Sequence, residues 1–90
     1  MLEIRYSTRF KKDFKLCVKR RCKMELLQQI IDILKIPDTL PLKNTDHNLS
    51  GNYAGFRECH IEPDWLLIYR HDGNELLLYR TGTHADLFGT

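Results

Sequence analysis

No stretch of this 90-residue chain approaches the run of about 18 apolar residues that a membrane-crossing helix requires. That excludes a membrane span of this kind. Met1-Leu-Glu-Ile4 places an acid and a strand-like alternation where a secretory leader carries basic residues and then an apolar stretch, so no signal peptide is expected. Cysteine is scarce: Cys17, Cys22 and Cys59 are odd in number and lack a CxxC spacing. Reduced thiols in a cytoplasmic protein are expected, with Cys59 as a small core residue. There is no glycine-rich phosphate loop, which argues against nucleotide binding. No HxH or HxxxH pair occurs, and no serine or cysteine stands out beside a base, which makes acyl transfer a poor reading.

What is present is ordinary in bulk and uneven in distribution. Hydrophobic residues at 42% and charged residues at 29% are those of a soluble globular protein. Residues 1–90 suffice for one domain and one core without metal or disulfide staples. The net charge is only +2, yet Arg9, Lys11, Lys12, Lys15, Lys19, Arg20, Arg21 and Lys23 lie in one stretch with a single acid, Asp13. Residues 47–90 carry three arginines against six acids. Such a run is ordinarily a solvated helix face; its density also suits a polyanion such as RNA, or an acidic protein segment.

Taken in order, Leu2-Glu-Ile-Arg-Tyr6 alternates with period two and predicts a short strand. Ser7 or Thr8 can cap the helix that follows. Phe10, Phe14, Cys17 and Val18 recur at helical spacing as its apolar stripe, and it should end near Arg20 or Arg21. A second helix is expected from Met24 to Ile36, with Leu27, Ile30, Ile31 and Leu34 inward, forming an antiparallel hairpin with the first. Pro37 should stop it, and 37–52 reads as a loop that contains His47.

Three strands are expected next, over Tyr53–Ile61, Asp64–His71 and Asn74–Thr81. Glu62-Pro63-Asp64 joins the first two, because Pro63 has no amide hydrogen to give a ladder. Asp72-Gly73 joins the second to the third. On the first strand Phe56, Glu58 and His60 share one face, with Arg57, Cys59 and Ile61 on the other. The turn presents His60 at one strand end and Asp64 with Trp65 at the next strand's start. In the tail, Leu87-Phe88 should anchor a short helical turn and so hold His84 in place. His71, beside a hairpin turn, reads as solvated and inert.

His47, His60, His84, Asp64, Arg80, Trp65 and Phe88 are therefore the candidate site. Imidazoles suit RNA cleavage without metal: one takes the 2′-hydroxyl proton while another protonates the leaving 5′-oxygen. Arg80 can offset charge on the phosphorane, and Trp65 or Phe88 can stack on an unpaired base. Two other readings stand beside this one, a metal site using the same histidines and Asp64, and a binding domain without catalysis.

Three motifs in order add to this: Asp46-His47-Asn-Leu-Ser-Gly51, Gly55-Phe-Arg-Glu-Cys-His-Ile-Glu-Pro-Asp-Trp65 and Arg80-Thr-Gly-Thr-His-Ala-Asp-Leu-Phe88. With the Tyr6-Ser-Thr-Arg-Phe-Lys-Lys-Asp13 opening, they resemble the YafQ branch of the RelE/ParE superfamily of toxin–antitoxin toxins across essentially the whole chain. The resemblance implies an α+β fold: an N-terminal strand, the helix hairpin, then a three-stranded antiparallel meander in one RelE-like sheet. It also implies a ribosome-dependent endoribonuclease that cuts mRNA in the A site without cofactor or metal. His47, His60, Asp64 and His84 are then catalytic, with Phe88 placing substrate and Trp65 and Arg80 in supporting roles. His84 is the expected acid, His47 or Asp64 the base, and His60 the residue that orients the phosphate. The implied partners are the ribosome and mRNA, and a DinJ/RelB-like antitoxin, with ribosomal RNA or that antitoxin on the basic helix. No membrane is involved, and the toxin by itself is expected to bind no DNA. A gyrase poison of the ParE kind, or a non-catalytic module of the same fold, ranks second because the histidine set is present.

Overall fold

The computed structural model describes residues 1–36, 44 and 46–89. In it, β1 (Glu3–Tyr6) leads into α1 (Thr8–Lys19) and α2 (Met24–Leu34). A two-residue strand β2 (His47–Asn48), a 3-10 turn (Gly51–Tyr53), β3 (Arg57–Glu62), β4 (Trp65–Asp72) and β5 (Glu75–Gly82) follow, and α3 (His84–Phe88) closes the order. The five strands make one sheet in the order β1-β5-β4-β3-β2. β1 runs parallel to β5, and the remaining neighbours pair antiparallel. The expected N-terminal strand and three-stranded meander are thus present in one α+β sheet, to which β2 is added at the β3 edge.

Local chemistry accounts for the helix ends. The Ser7 hydroxyl accepts from the Phe10 amide, satisfying one of the unpaired donors of the first turn. α1 stops at Arg20 with Arg21 in the left-handed region. The Arg21 and Cys22 amides donate back to the Val18 and Cys17 carbonyls in a Schellman arrangement. α2 ends two residues before the expected Ile36. The stop assigned to Pro37 and most of the expected loop lie outside the described residues.

One face of the sheet carries the main core. Phe10 and Cys17 of α1 and Leu27, Ile30, Ile31 and Leu34 of α2 pack on Cys59, Ile61, Leu67, Tyr69, Leu76 and Leu78. Two members of the expected α1 stripe are not part of it: Phe14 and Val18 are substantially exposed. Phe14 instead lines an open groove with Phe10, Leu27 and Ile31. On the other face Leu66, Ile68 and Leu87 form a smaller cluster against Leu49, Tyr53, Phe56 and Tyr79. α3 lies on this second face.

The strand limits shift in two places with a clear cause. Tyr53 belongs to the 3-10 turn and not to β3, because Gly55 at φ +89° turns the chain before the ladder begins. Tyr79 is an extra residue in β5, since Ile68 pairs with Arg80 but Tyr69 with Leu78. Such a bulge locally re-aims side chains, here at the point where β1 has ended and α1 crosses the strand.

Candidate active site

The second face of the sheet gathers the polar groups. His47 lies on β2, which the polar sequence around it does not announce; the expectation of a loop is corrected here. Its backbone pairs with Glu58 of β3, and Arg57 reinforces the edge by donating to Asp46 at 3.1 Å and Asn48 at 2.6 Å. His60 sits two residues further along β3, opposite Leu66. A register shift between His60 and Glu62 lets the chain turn through Pro63-Asp64.

Glu58 lies between the two histidines. It is only 4% exposed, and its Oε1 is 3.6 Å from His47 Nε2 and 3.9 Å from His60 Nε2. These separations are longer than hydrogen bonds, and the contacts become ion pairs when an imidazole carries a second proton. The candidate set did not include Glu58. The signal for it was present, since alternation places it on the His60 face, where a carboxylate has no packing role.

His84 is placed by its own helix. The Thr83 hydroxyl accepts from the Asp86 amide while Asp86 accepts from the Thr83 amide, a capping box that starts α3 at His84. Asp64 then accepts twice through Oδ1, from the His84 backbone amide at 2.9 Å and from His84 Nδ1 at 2.6 Å. A carboxylate can only accept, so Nδ1 carries the hydrogen and Nε2 is left for proton transfer. The same contacts, the backbone amide first, hold the Asp64 carboxyl below its ordinary range. The His60 and His84 rings are 5.6 Å apart between centroids. His60 Nδ1 is buried without a hydrogen-bond partner. The structure thus brings His47, His60, His84 and Asp64 to one surface, with Glu58 beneath.

Phe88 shares this surface. It is 40% exposed and stands edge-on to Tyr53 at 5.5 Å, while Leu87 beside it anchors α3 in the smaller cluster. The expected anchor is therefore Leu87, leaving the Phe88 ring available.

Two expected substrate contacts are corrected. Trp65 is 5% exposed, packs in the main core on the far face, and its indole N–H donates to Thr81 Oγ1 at 2.9 Å. It cannot stack on a base. Arg80 donates through Nε and Nη2 to Asp13 at 3.0 and 2.9 Å, and both side chains are nearly buried. That fork is committed to α1, so its charge is already neutralised. Among the basic stretch, Arg20 is likewise occupied, by a two-pronged pair with Asp86 at 2.6 and 3.2 Å. Arg9, Lys11, Lys12, Lys15, Lys19, Arg21 and Lys23 are exposed. His71 is exposed at the far end of β4, away from the cluster.

Cys59 is fully buried on the opposite sheet face from His60, and burial pushes its thiol well above the ordinary range. It is no nucleophile. Among the described residues no group of three or more His, Cys, Asp or Glu is arranged to hold a metal ion, and no helix is long and apolar enough to cross a membrane.

Sheet order, the α3 cap and the histidine-bearing face together define a toxin of RelE-like α+β fold. Residues 2–89 match the family described as the bacterial toxin of type II toxin–antitoxin system, YafQ, and the chain belongs to that family. The mRNA interferase toxin YafQ of Escherichia coli K12 is 46% identical over 89 residues, 97% of this chain and 96% of that protein. The toxin in the crystal structure of the E. coli DinJ–YafQ complex superposes with a TM-score of 0.89 at 42% identity, over 99% of this chain and 100% of that one. A metal-bound toxin from Helicobacter pylori superposes with a TM-score of 0.91 at 41% identity, over 98% and 100% of the two chains.

Proposed function

We propose that this protein is a cytoplasmic mRNA interferase that cuts mRNA in the ribosomal A site by acid–base catalysis through its own side chains. The observation that carries this reading is the His84–Asp64 pair facing His60 and His47 across one exposed surface. His84 Nε2 gives a proton to the leaving 5′-oxygen, and Asp64 holds the ring and its tautomer. Because Asp64 is engaged with His84, the base that takes the 2′-hydroxyl proton is His47. His60 faces the phosphate, Glu58 balances the charge of the two imidazoles from below, and Phe88 stacks against substrate. Each proton transfer contributes on the order of 10²–10⁴ in rate.

The name of the E. coli relative, an mRNA interferase, supports the substrate. That relative's complex with DinJ supports an antitoxin partner here. A groove of about 620 Å³ between α1 and α2, lined by Tyr6, Phe10, Phe14, Leu27 and Ile31, is its seat. Lys11 and Lys15 on the rim favour an amphipathic acidic segment. Lys12 and Lys19, exposed on other parts of α1, face ribosomal RNA.

The test is cleavage of mRNA on programmed ribosomes, wild type against His84→Ala, each with and without EDTA. Cuts in the A-site codon that persist in chelator and disappear in the variant are expected. A folded wild-type protein that leaves mRNA intact overturns the proposal. Because one relative is metal-bound, the chelator arm matters: activity lost in EDTA replaces the side-chain mechanism with a metal-assisted one.

A further inference from the structure

One stripe of α1, Arg9–Asp13–Leu16–Arg20, follows the i, i+4, i+7, i+11 spacing of a single helix face. Two of its three charges are matched, Asp13 by Arg80 of β5 and Arg20 by Asp86 of α3. The Arg20–Asp86 pair ties the first turn of α3 to the C-terminal end of α1. Arg9, at the other end of the stripe, has no ion pair or side-chain hydrogen bond among the described residues and is exposed. It lines a groove of about 400 Å³ with Ser50, Asn52, Tyr53, Tyr79 and Phe88.

The chemistry of this groove is specific. Among the described residues it has one cation, an amide and hydroxyls as neutral hydrogen-bonding groups, an exposed aromatic ring and no carboxylate. Tyr53 is held in place by donating its hydroxyl to the Leu87 carbonyl at 3.1 Å and by edge contacts with Tyr79 and Phe88. An anion joined to a planar ring satisfies all of these features, and a nucleotide is such a ligand. Phe88 and His84 stand four residues apart on α3, so their Cβ atoms are about 6 Å apart on one face. A strand with a phosphodiester at His84 brings an adjoining nucleotide to Phe88.

We infer that the Arg9 groove is a subsite for the nucleotide adjoining the cleaved linkage, with its phosphate on Arg9 and its base against Phe88. This rests on the ribonuclease reading above. The cation is supplied from the start of α1, a segment remote in sequence from the histidine motifs, and it replaces the charge that Arg80 cannot lend.

The experiment uses ribosomes programmed with mRNA carrying a neutral methylphosphonate at the phosphate on one or the other side of the cleaved linkage. Wild type, Arg9→Ala and Arg9→Lys are compared, all checked for native circular dichroism. Neutralising one of the two phosphates is expected to cost wild type about tenfold in kcat/KM, carried by KM, the size of one charge-assisted contact. Arg9→Ala should lose the same factor on natural mRNA and nothing more on that modified mRNA, while Arg9→Lys recovers part of the loss. Arg9→Ala cutting natural mRNA at the wild-type rate, or the two losses multiplying, overturns the subsite while leaving the ribonuclease reading intact. Wild type failing on natural mRNA overturns both.

Discussion

Asp13→Ala is the most informative single change, because it decides what Arg80 is for. In the native protein Asp13 accepts from Arg80 Nε and Nη2 and from the Thr81 amide at 3.2 Å. The Arg80 and Asp13 side chains are 12% and 13% exposed, so water cannot replace the lost carboxylate. Breaking a buried pair by removing one partner costs about 3–5 kcal/mol, since the remaining charge is left uncompensated. With slight exposure we expect the lower end, about 3 kcal/mol. For a domain of this size that lowers Tm by about 12–24 °C, or the urea midpoint by about 3 M at a slope of about 1 kcal/mol/M. Replacing both partners, Asp13→Leu with Arg80→Met, removes the stranded charge and should recover part of the loss, the remainder being about 1 kcal/mol or more for the Thr81 amide left unpaired. If Arg80 is structural, that double variant also still cuts mRNA. A cost below about 1 kcal/mol for Asp13→Ala refutes the structural reading. So does a folded double variant that no longer cuts, which would return Arg80 to the phosphate.

Other changes separate core from site. Trp65→Phe should keep cleavage unchanged while costing about 1 kcal/mol in urea denaturation for the lost bond to Thr81; cleavage loss in a stable variant would return Trp65 to the substrate. Asp86 is held down to about 2 by the Arg20 guanidinium and then by the Thr83 amide, against an ordinary 3.8. Its folded pKa is the lower one, so its stabilisation is present above pH 3.8 and is lost as pH falls through about 2. Asp86→Asn should therefore flatten the acid limb of stability over that window by about 1 kcal/mol, and an unchanged limb would show that Arg20 contributes nothing there.

Local signals in the chain were readable wherever short-range chemistry decides the outcome. Ser7 caps α1, Asp72-Gly73 turns β4 into β5, and the Leu27–Leu34 stripe is core, all as their residue types require. The misses depend on distant partners. Phe14 and Val18 have the spacing of core residues, but helical spacing alone does not say how wide a stripe the rest of the fold covers. β2 is two polar residues whose strand character comes only from pairing with β3. The apolar run Trp65–Tyr69 has no alternation to say which face Trp65 takes; the ladder with β3 decides it. Arg80 and Arg20 looked like free charge because their partners lie 67 and 66 residues away. The histidines were visible as types in loops and strand ends. Their convergence needed the sheet order and the α3 cap.

Glu58 is where stability and function pull in opposite directions. A carboxylate at 4% exposure, with the Nε2 atoms of His47 and His60 3.6 and 3.9 Å away, pays for desolvation without, among the described residues, the short hydrogen bonds that usually offset it. Opposite Ile68 of β4, an uncharged side chain would cost less to bury. Retaining the charge makes sense if it acts on the two imidazoles above it, which must carry and exchange protons at the substrate. Glu58→Gln keeps the shape and removes the charge, so the two roles predict opposite signs. We expect equal or greater stability in urea denaturation, together with a fall in kcat of about tenfold or more and little change in KM. A variant that loses stability and activity in parallel would make Glu58 part of the framework, and the catalytic account would then rest on His84, Asp64 and His47 alone.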